Sequence, residues 1–84
     1  MTLLTRAGCG LCVPALRQLR AVCADFGIEP AVVDVDEAAA QDPALRAEYG
    51  DRLPVVLLDG REHSYWEVDE ERLRVDLAQS AEAQ

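Results

Sequence analysis

Apolar residues recur at spacings of three and four in the first third of the chain, and this pattern predicts an amphipathic helix. The apolar positions are Leu16, Leu19, Cys23 and Phe26. Pro14 near the start and Gly27 just past the end are residue types that commonly begin and end a helix. The sequence therefore predicts a helix with one buried face, ended by Gly27.

Short apolar or β-branched runs predict four strands. They lie at residues 2–5, 31–35, 54–58 and 61–66. Asp59-Gly60 separates the last two runs and is a preferred pair for a type I′ hairpin turn, so these strands should be antiparallel. The last run is the least apolar, which is typical of an edge strand.

Two further helices are predicted from residues typical of helix ends. The pair Asp42-Pro43 begins a short helix that reaches about Tyr49. Asp69 is expected to cap a last helix, whose acidic first turn suits the positive end of the helix dipole. Residues 80–84 are expected to form a flexible tail, so one domain should span residues 1–79.

The predicted order is β-α-β-α-β-β-α, which indicates an α/β fold. The first strand–helix–strand unit should pair its strands in parallel with a right-handed crossover. The hairpin adds antiparallel strands, so we expect a four-stranded mixed sheet. Helices on both faces would cover its apolar strands.

The motif Cys9-Gly10-Leu11-Cys12 stands between the first strand and the first helix. Extending the apolar stripe back from Leu16 by one turn reaches Cys12, so Cys12 should point inward while Cys9 faces solvent. The free N–H groups and positive dipole at a helix start favour a thiolate over a thiol. The second thiol is close enough to displace whatever the first has attacked. The motif therefore predicts thiol–disulfide exchange, with Cys9 and Cys12 as catalytic residues.

A zinc site is the main alternative for the cysteine pair, and it would need four ligands. The remaining candidates are Cys23 and His63, but Cys23 lies about 16 Å from Cys12 along the predicted helix. We therefore expect no metal, with Cys23 in the core and His63 in a solvated or capping role. Trp66 is predicted to be a core residue, and Tyr65 beside it is a candidate for lining a groove.

Composition and charge limit the classes of function. The 84 residues include eight Lys plus Arg against sixteen Asp plus Glu, a net charge of −8, which argues against nucleic acid as a partner. The sequence has no apolar run of about 18 residues and no basic-then-apolar leader, so neither a membrane span nor a secretory signal is expected. Three cysteines are an odd number, which does not suit a disulfide framework. We expect a cytoplasmic monomer.

These features resemble the thioredoxin fold, and within it the glutaredoxin-like proteins, over residues 1–79. The resemblance rests on the motif from Cys9 to Cys12 after the first strand, on Leu53-Pro54 before the third strand, and on the Asp59-Gly60 hairpin. It implies that Pro54 is cis and packs beside the motif. It also implies that the Leu53 backbone pairs with an incoming disulfide or with glutathione.

Arg6 stands three residues before Cys9, where glutaredoxins commonly carry a basic residue. By this resemblance Arg6, Leu53 and Pro54 are expected to bind substrate. Arg6 would stabilise the Cys9 thiolate and attract a carboxylate of glutathione or of a partner. The sequence departs from glutaredoxins in two places: Gly and Leu lie between the cysteines, and residues 67–69 replace the glycine-rich turn before the last helix.

The motif and the resemblance together predict a dithiol–disulfide oxidoreductase that reduces protein disulfides or glutathione mixed disulfides. The expected partners are disulfide-containing proteins and a reductant, which is either glutathione or a system of the thioredoxin-reductase type. No other cofactor is expected. The alternative is a non-catalytic thioredoxin-fold module that binds a peptide or a glutathione-linked iron–sulfur cluster.

Overall fold

The computed structural model describes the backbone of residues 1–82 and the side chains of residues 1–79. Strands and helices follow the predicted order, with one additional helical turn after the second strand. The elements are β1 (Thr2–Thr5), α1 (Cys12–Ala24), β2 (Ala31–Asp34), α2 (Val35–Ala38), α3 (Pro43–Tyr49), β3 (Val55–Leu58), β4 (Arg61–Tyr65) and α4 (Glu70–Glu82). Within residues 1–82, no helix has the length and apolar character needed to cross a membrane.

The four strands form one mixed sheet in the order β2-β1-β3-β4. β1 pairs with β2 in parallel, with Thr2 opposite Ala31. β3 pairs with β1 and with β4 in antiparallel fashion. The predicted mixed sheet is confirmed, including the parallel crossover and the edge position of β4.

The hydrophobic core lies on both faces of the sheet. Leu3 and Leu4 are adjacent in β1, so they face opposite sides, and they are 0% and 1% exposed. The cluster on the Leu3 side also contains Ala15, Leu19, Val22, Cys23, Val56, Val68, Leu73 and Leu77. The cluster on the Leu4 side also contains Val35 and Val55, with Leu45 and Tyr49 packed against it. Helices α1 and α4 cover one face, and α2 and α3 cover the other.

The buried face of α1 has the predicted period, and the predicted burial of Cys12, Leu19 and Cys23 is confirmed, but that of Leu16 and Phe26 is wrong. Its buried residues are Cys12, Ala15, Leu19, Val22 and Cys23. Leu16 and Phe26 are only partly buried and pack against the edge of this cluster. The stripe is displaced because Ala15, not Leu16, is buried against the sheet.

A single helical turn, α2, follows β2 directly and is absent from the sequence prediction. The Asp34 carboxylate accepts hydrogen bonds from the N–H groups of Asp36 (2.8 Å) and Glu37 (3.1 Å). This is an Asp N-cap, and it ends the strand one residue before the β-branched run ends. Val35, predicted as strand, therefore begins the helix and is fully buried.

The hairpin between β3 and β4 has the predicted two-residue turn. Asp59 and Gly60 have φ values of 53° and 79°, and a type I′ turn requires positive φ at both positions. Leu58 is paired with Arg61 on either side of the turn.

A β-bulge interrupts the pairing further along the hairpin. Val56 lies opposite Ser64, whereas Leu57 lies opposite Glu62, so His63 is an extra residue on β4. A bulge redirects the side chain of its extra residue, and His63 turns toward α4.

The last helix begins as predicted, because the Asp69 carboxylate accepts a hydrogen bond from the Arg72 N–H at 3.3 Å. Asp42, by contrast, precedes α3 without a side-chain cap bond. α4 extends to Glu82, beyond the predicted domain boundary at residue 79. Residues 83 and 84 lie outside the described residues, so the flexible tail over 80–84 stays a prediction.

Candidate active site

The two cysteines of the motif meet at the N-terminus of α1. Their sulfurs form a disulfide, and their Cα atoms are 5.4 Å apart, within the usual range for such a bond. Cys12 is the first residue of α1 and is 6% exposed, whereas Cys9 lies before the helix and is partly exposed. The predicted difference in exposure between the two cysteines is confirmed.

The backbone around the motif forms a compact turn. The N–H of Cys9 donates to the Arg6 carbonyl at 3.1 Å, and the N–H of Cys12 donates to the Cys9 carbonyl at 3.2 Å. Gly8 has a φ of 83°, in the left-handed region that favours glycine. No side chain caps α1 and its first turn contains no acidic residue, so nothing in that turn offsets the positive end of its dipole.

An open cavity of about 230 Å³ lies beside Cys9. It is lined by Arg6, Ala7, Gly8, Cys9, Gly50, Asp51 and Leu53. The peptide bond between Leu53 and Pro54 is cis, as the resemblance implied. The structure therefore brings Arg6 and Cys9, from the loop after β1, to one cavity with Leu53, which is more than 40 residues further along the chain.

The Arg6 guanidinium is occupied by partners of its own. Nε and Nη2 donate to the two carboxylate oxygens of Asp36, at 2.9 and 3.3 Å. Nη1 donates to the Gly50 carbonyl at 3.3 Å. Arg46 approaches the same carboxylate at 3.8 Å. Arg6 thus joins the loop before Cys9 to α2 and to the end of α3, and its charge is paired within the protein.

The chain beyond β4 is attached to the Leu53-Pro54 segment by main-chain hydrogen bonds. The N–H of Trp66 donates to the carbonyls of Pro54 (2.8 Å) and Arg52 (3.3 Å). The Arg52 side chain donates to Glu62 of β4 at 2.9 Å, and this bond raises the pKa of Arg52. The cis-proline segment is therefore held between β4 and the residues that follow it.

Trp66 is not a core residue, and the prediction that it is buried is wrong. Its side chain is 56% exposed and its φ is 68°. Tyr65, 46% exposed, meets it edge to face with the ring centroids 5.0 Å apart. β4 ends at Tyr65, so Trp66 lies in a turn that holds its ring away from the core. No local sequence signal indicates this exposure, which depends on where β4 ends.

His63 does not have the solvated role expected of it. Its side chain is only 6% exposed, and Nε2 lies 2.7 Å from the Asp76 carboxylate of α4. Arg72 donates toward Nδ1 at 3.4 Å. Both contacts fit the tautomer with its proton on Nε2, in which Nε2 donates to Asp76 and Nδ1 accepts from Arg72. The bulge turns the His63 side chain toward α4 and away from solvent, and the sequence pattern does not predict this bulge. His63 does not line the cavity beside Cys9.

Cys23 is buried in the α1 face as expected, with 0% exposure. Burial raises the pKa of its thiol, since the charged form loses its hydration.

Among the residues that the structure describes, no group of three or more His, Cys, Asp or Glu side chains is arranged to hold a metal ion.

Comparison with known proteins decides the family. The model of the Glutaredoxin-like domain (DUF836) matches residues 1–78 of this chain. The chain belongs to this glutaredoxin-like family. An X-ray structure of a Northeast Structural Genomics target protein from X. campestris is 35% identical, with a TM-score of 0.68, and the match covers 93% of this chain and 95% of that one. The predicted thioredoxin-like fold is confirmed for this glutaredoxin-like protein.

Curated relatives match over nearly the same length. Proteins of Mycobacterium bovis and of Mycobacterium tuberculosis, both named as uncharacterized, are 62% identical over 79 residues of the glutaredoxin-like chain. The match covers 93% of this chain and 81% of each relative. The glutaredoxin-like domain thus makes up most of the length of these relatives.

Proposed function

We propose that this glutaredoxin-like protein is a dithiol–disulfide oxidoreductase that reduces protein disulfides or glutathione mixed disulfides through Cys9 and Cys12. The single observation that carries the proposal is the unequal exposure of two bonded cysteines at an uncapped helix start. A structural disulfide needs no accessible sulfur. An exchange reaction needs one accessible sulfur and a second one within bonding distance of it.

The reaction begins with the reduced pair. The Cys9 thiolate attacks one sulfur of the substrate disulfide, which forms a mixed disulfide and expels the other substrate sulfur as a thiolate. Cys12 then loses its proton, attacks the Cys9 sulfur and expels the second substrate sulfur. The Cys9–Cys12 disulfide forms, and two electrons have passed from the protein to the substrate. The Cys9–Cys12 disulfide of the structure supports this sequence, because it is the bond that the last step forms.

The surroundings of the pair support different roles for the two cysteines. The positive end of α1 favours the Cys9 thiolate, which is the nucleophile. Cys12 is only 6% exposed, so a substrate disulfide in solution does not reach it. It attacks only the neighbouring Cys9 sulfur, after Cys9 has formed the mixed disulfide. Leu53 lines the same cavity as Cys9, and we assign its backbone, beside Pro54, to holding an extended substrate segment.

Arg6 acts in this proposal as a positioning residue. Its ion pair with Asp36 and its bond to Gly50 hold the loop that presents Cys9. Because the guanidinium is already paired, its attraction for a substrate carboxylate is weaker than that of a free arginine.

Regeneration requires two electrons from outside the protein, and we assign this role to glutathione or to a system of the thioredoxin-reductase type. Such reductants are supplied in a reducing compartment, so the proposal implies a cytoplasmic protein. Incubating the oxidised protein separately with each reductant, and counting free thiols, identifies the donor.

Serine substitutions of the two cysteines test the mechanism. Cys9→Ser should abolish reduction of a disulfide substrate, because the nucleophile is lost. Cys12→Ser should instead accumulate a mixed disulfide at Cys9, because the resolving sulfur is lost. Intact-mass spectrometry after alkylation distinguishes the free, mixed and internal disulfide forms.

Cys23→Ala is the matched control, since it removes a cysteine that is buried and takes no part in the reaction. It should reduce substrate at the rate of the unaltered protein. Activity in Cys9→Ser would contradict the assignment of roles. Substrate binding without any reduction by the unaltered protein would favour a non-catalytic binding module.

A further inference from the structure

Exposed apolar side chains lie on the surface around Leu11, which directly precedes Cys12 in the chain. Leu11, between the two cysteines, is 57% exposed, and Trp66 is 56% exposed. Leu11, Tyr65, Trp66 and Glu67 line an open cavity of about 560 Å³. A second cavity of about 120 Å³ on the neighbouring surface is also lined by Leu11 and Trp66. Trp66, from the β4–α4 connection, therefore lines the same two cavities as Leu11, one of the two residues between the cysteines.

The backbone holds Trp66 in an unfavourable conformation without burying its ring. A φ of 68° is rare for a bulky residue that carries a Cβ. The N–H of Trp66 is nevertheless fixed to the Pro54 carbonyl at 2.8 Å. Conformations of this kind persist where surrounding structure imposes them, and they occur most often at ligand-binding positions. Core packing does not account for this tryptophan, since more than half of its side chain is exposed.

The charges at these cavities favour a cationic or neutral ligand over an anionic one. Asp51 lines the cavity beside Cys9, and Glu67 lines the cavity beside Leu11 and Trp66. Among the residues described around these two cavities, Arg6 is the cation, and its guanidinium is bonded to Asp36. The whole chain has a net charge of −8, which adds to the repulsion of anions.

We infer that Leu11, Tyr65 and Trp66 form an apolar subsite for a side chain next to the disulfide of a peptide substrate. The inference rests on the proposed function and names its substrate class. The substrate is a protein segment whose cysteine is flanked by an apolar residue, with basic residues nearby. It is preferred over glutathione disulfide, which has no large apolar side chain and carries net negative charge.

A set of small disulfides tests this preference. The reference substrate is the symmetrical disulfide of a short peptide with Leu on each side of Cys and Lys at both ends. One variant replaces Leu with Ser, another replaces Lys with Glu, and the remaining substrates are glutathione disulfide and hydroxyethyl disulfide. Reduced protein is mixed with each, quenched with acid, and its oxidation is measured by alkylation and mass spectrometry.

We expect the reference peptide to be reduced about tenfold faster than the Ser peptide, since buried aromatic contacts carry much of the binding free energy at interfaces. It should also be reduced faster than glutathione disulfide. The Glu peptide should be slower than the Lys peptide at low ionic strength, and added salt should reduce this difference.

Protein variants assign the preference to the subsite. Trp66→Asn removes the ring but keeps a residue that tolerates positive φ. It should remove the tenfold preference and leave the rate for hydroxyethyl disulfide unchanged. Trp66→Phe should restore most of the preference. Val75→Ala, which truncates an apolar residue of α4 that is 52% exposed, is the matched control and should behave as the unaltered protein.

Equal rates for the Leu and Ser peptides would overturn the inference. An equal loss of rate for all substrates in Trp66→Asn would also overturn it, because that result indicates a structural role. Reduction of hydroxyethyl disulfide without any preference among the peptides would contradict the subsite and support the proposed function. Failure to reduce any disulfide would contradict both.

Discussion

Three cysteine side chains of the same chemistry have three different environments in this molecule. Cys9 lies before α1 and is partly exposed, Cys12 begins the helix at 6% exposure, and Cys23 lies deeper on the same helix at 0% exposure. Position relative to α1 therefore distinguishes a candidate nucleophile before the helix, a candidate resolving cysteine at its first residue and a core thiol within it.

The buried thiol of Cys23 should make the stability of the protein sensitive to alkaline pH. Its pKa is raised in the folded state, while in the unfolded chain a thiol ionises near its ordinary value of about 8.5. The stabilising contribution is therefore complete below the unfolded value and is lost as the pH rises through the folded value. Urea unfolding measured from about pH 7 to about pH 10, on both sides of the unfolded pKa, gives the free energy of unfolding as a function of pH.

Cys23→Ala provides the comparison for this prediction. The substitution should lower stability at neutral pH, because it leaves a small cavity in the core. Its free energy of unfolding should then fall less steeply with pH than that of the unaltered protein. Parallel pH profiles for the two proteins would contradict the predicted titration of Cys23.

At the scale of elements, β4 and α4 are joined by the partly buried contact between His63 and Asp76. The bulge turns His63 toward α4, and the two side chains are 2.7 Å apart. This contact ties the edge strand to the helix that follows Trp66.

His63→Ala should destabilise the protein by about 1–3 kcal/mol, because it removes a buried imidazole and leaves Asp76 without this partner. Asp76→Asn keeps the shape of the partner and should have a smaller effect. Urea unfolding monitored by circular dichroism measures both. The matched control is Asp51→Asn, whose side chain is 81% exposed in its pair with Arg52 and should leave the midpoint unchanged. A midpoint for His63→Ala equal to that of the unaltered protein would contradict the prediction.

Elements whose signals are local could be predicted from the sequence. The Asp59-Gly60 turn, the Asp69 cap and the period of α1 each depend on residues a few positions apart. The α2 turn was missed because β-branched residues at 31–35 favour a strand, whereas the Asp34 carboxylate stabilises a helix start. The bulge at His63 has no local signal in residues 61–66, and the Asp76 side chain that His63 contacts lies 13 positions further along the chain.

At the scale of the whole molecule, the candidate site joins segments that are distant in sequence. Cys9 and Cys12 could be predicted because a single short motif contains both. The Arg6–Asp36 ion pair spans 30 positions of the sequence, and no periodicity indicates it. The exposure of Trp66 likewise depends on its main-chain bond to Pro54.

In the whole domain, the disulfide lies at the start of α1, and Cys9 shares a cavity with Leu53 of the cis-proline segment and with Asp51. In the proposed function, the partly exposed Cys9 is the attacking sulfur and the shielded Cys12 is the resolving sulfur. The reduction potential of the Cys9–Cys12 couple reports on this arrangement as a unit.

The most direct measurement is therefore an equilibrium titration of the pair in buffers of defined glutathione or dithiothreitol potential, followed by alkylation and mass spectrometry. We expect the Cys9–Cys12 pair to show one reversible two-electron transition. Its midpoint potential should lie between roughly −180 and −300 mV, the range of exchange-active dithiols. A disulfide that stays oxidised well below roughly −300 mV, as structural disulfides do, or a pair that never re-forms its bond, would contradict it.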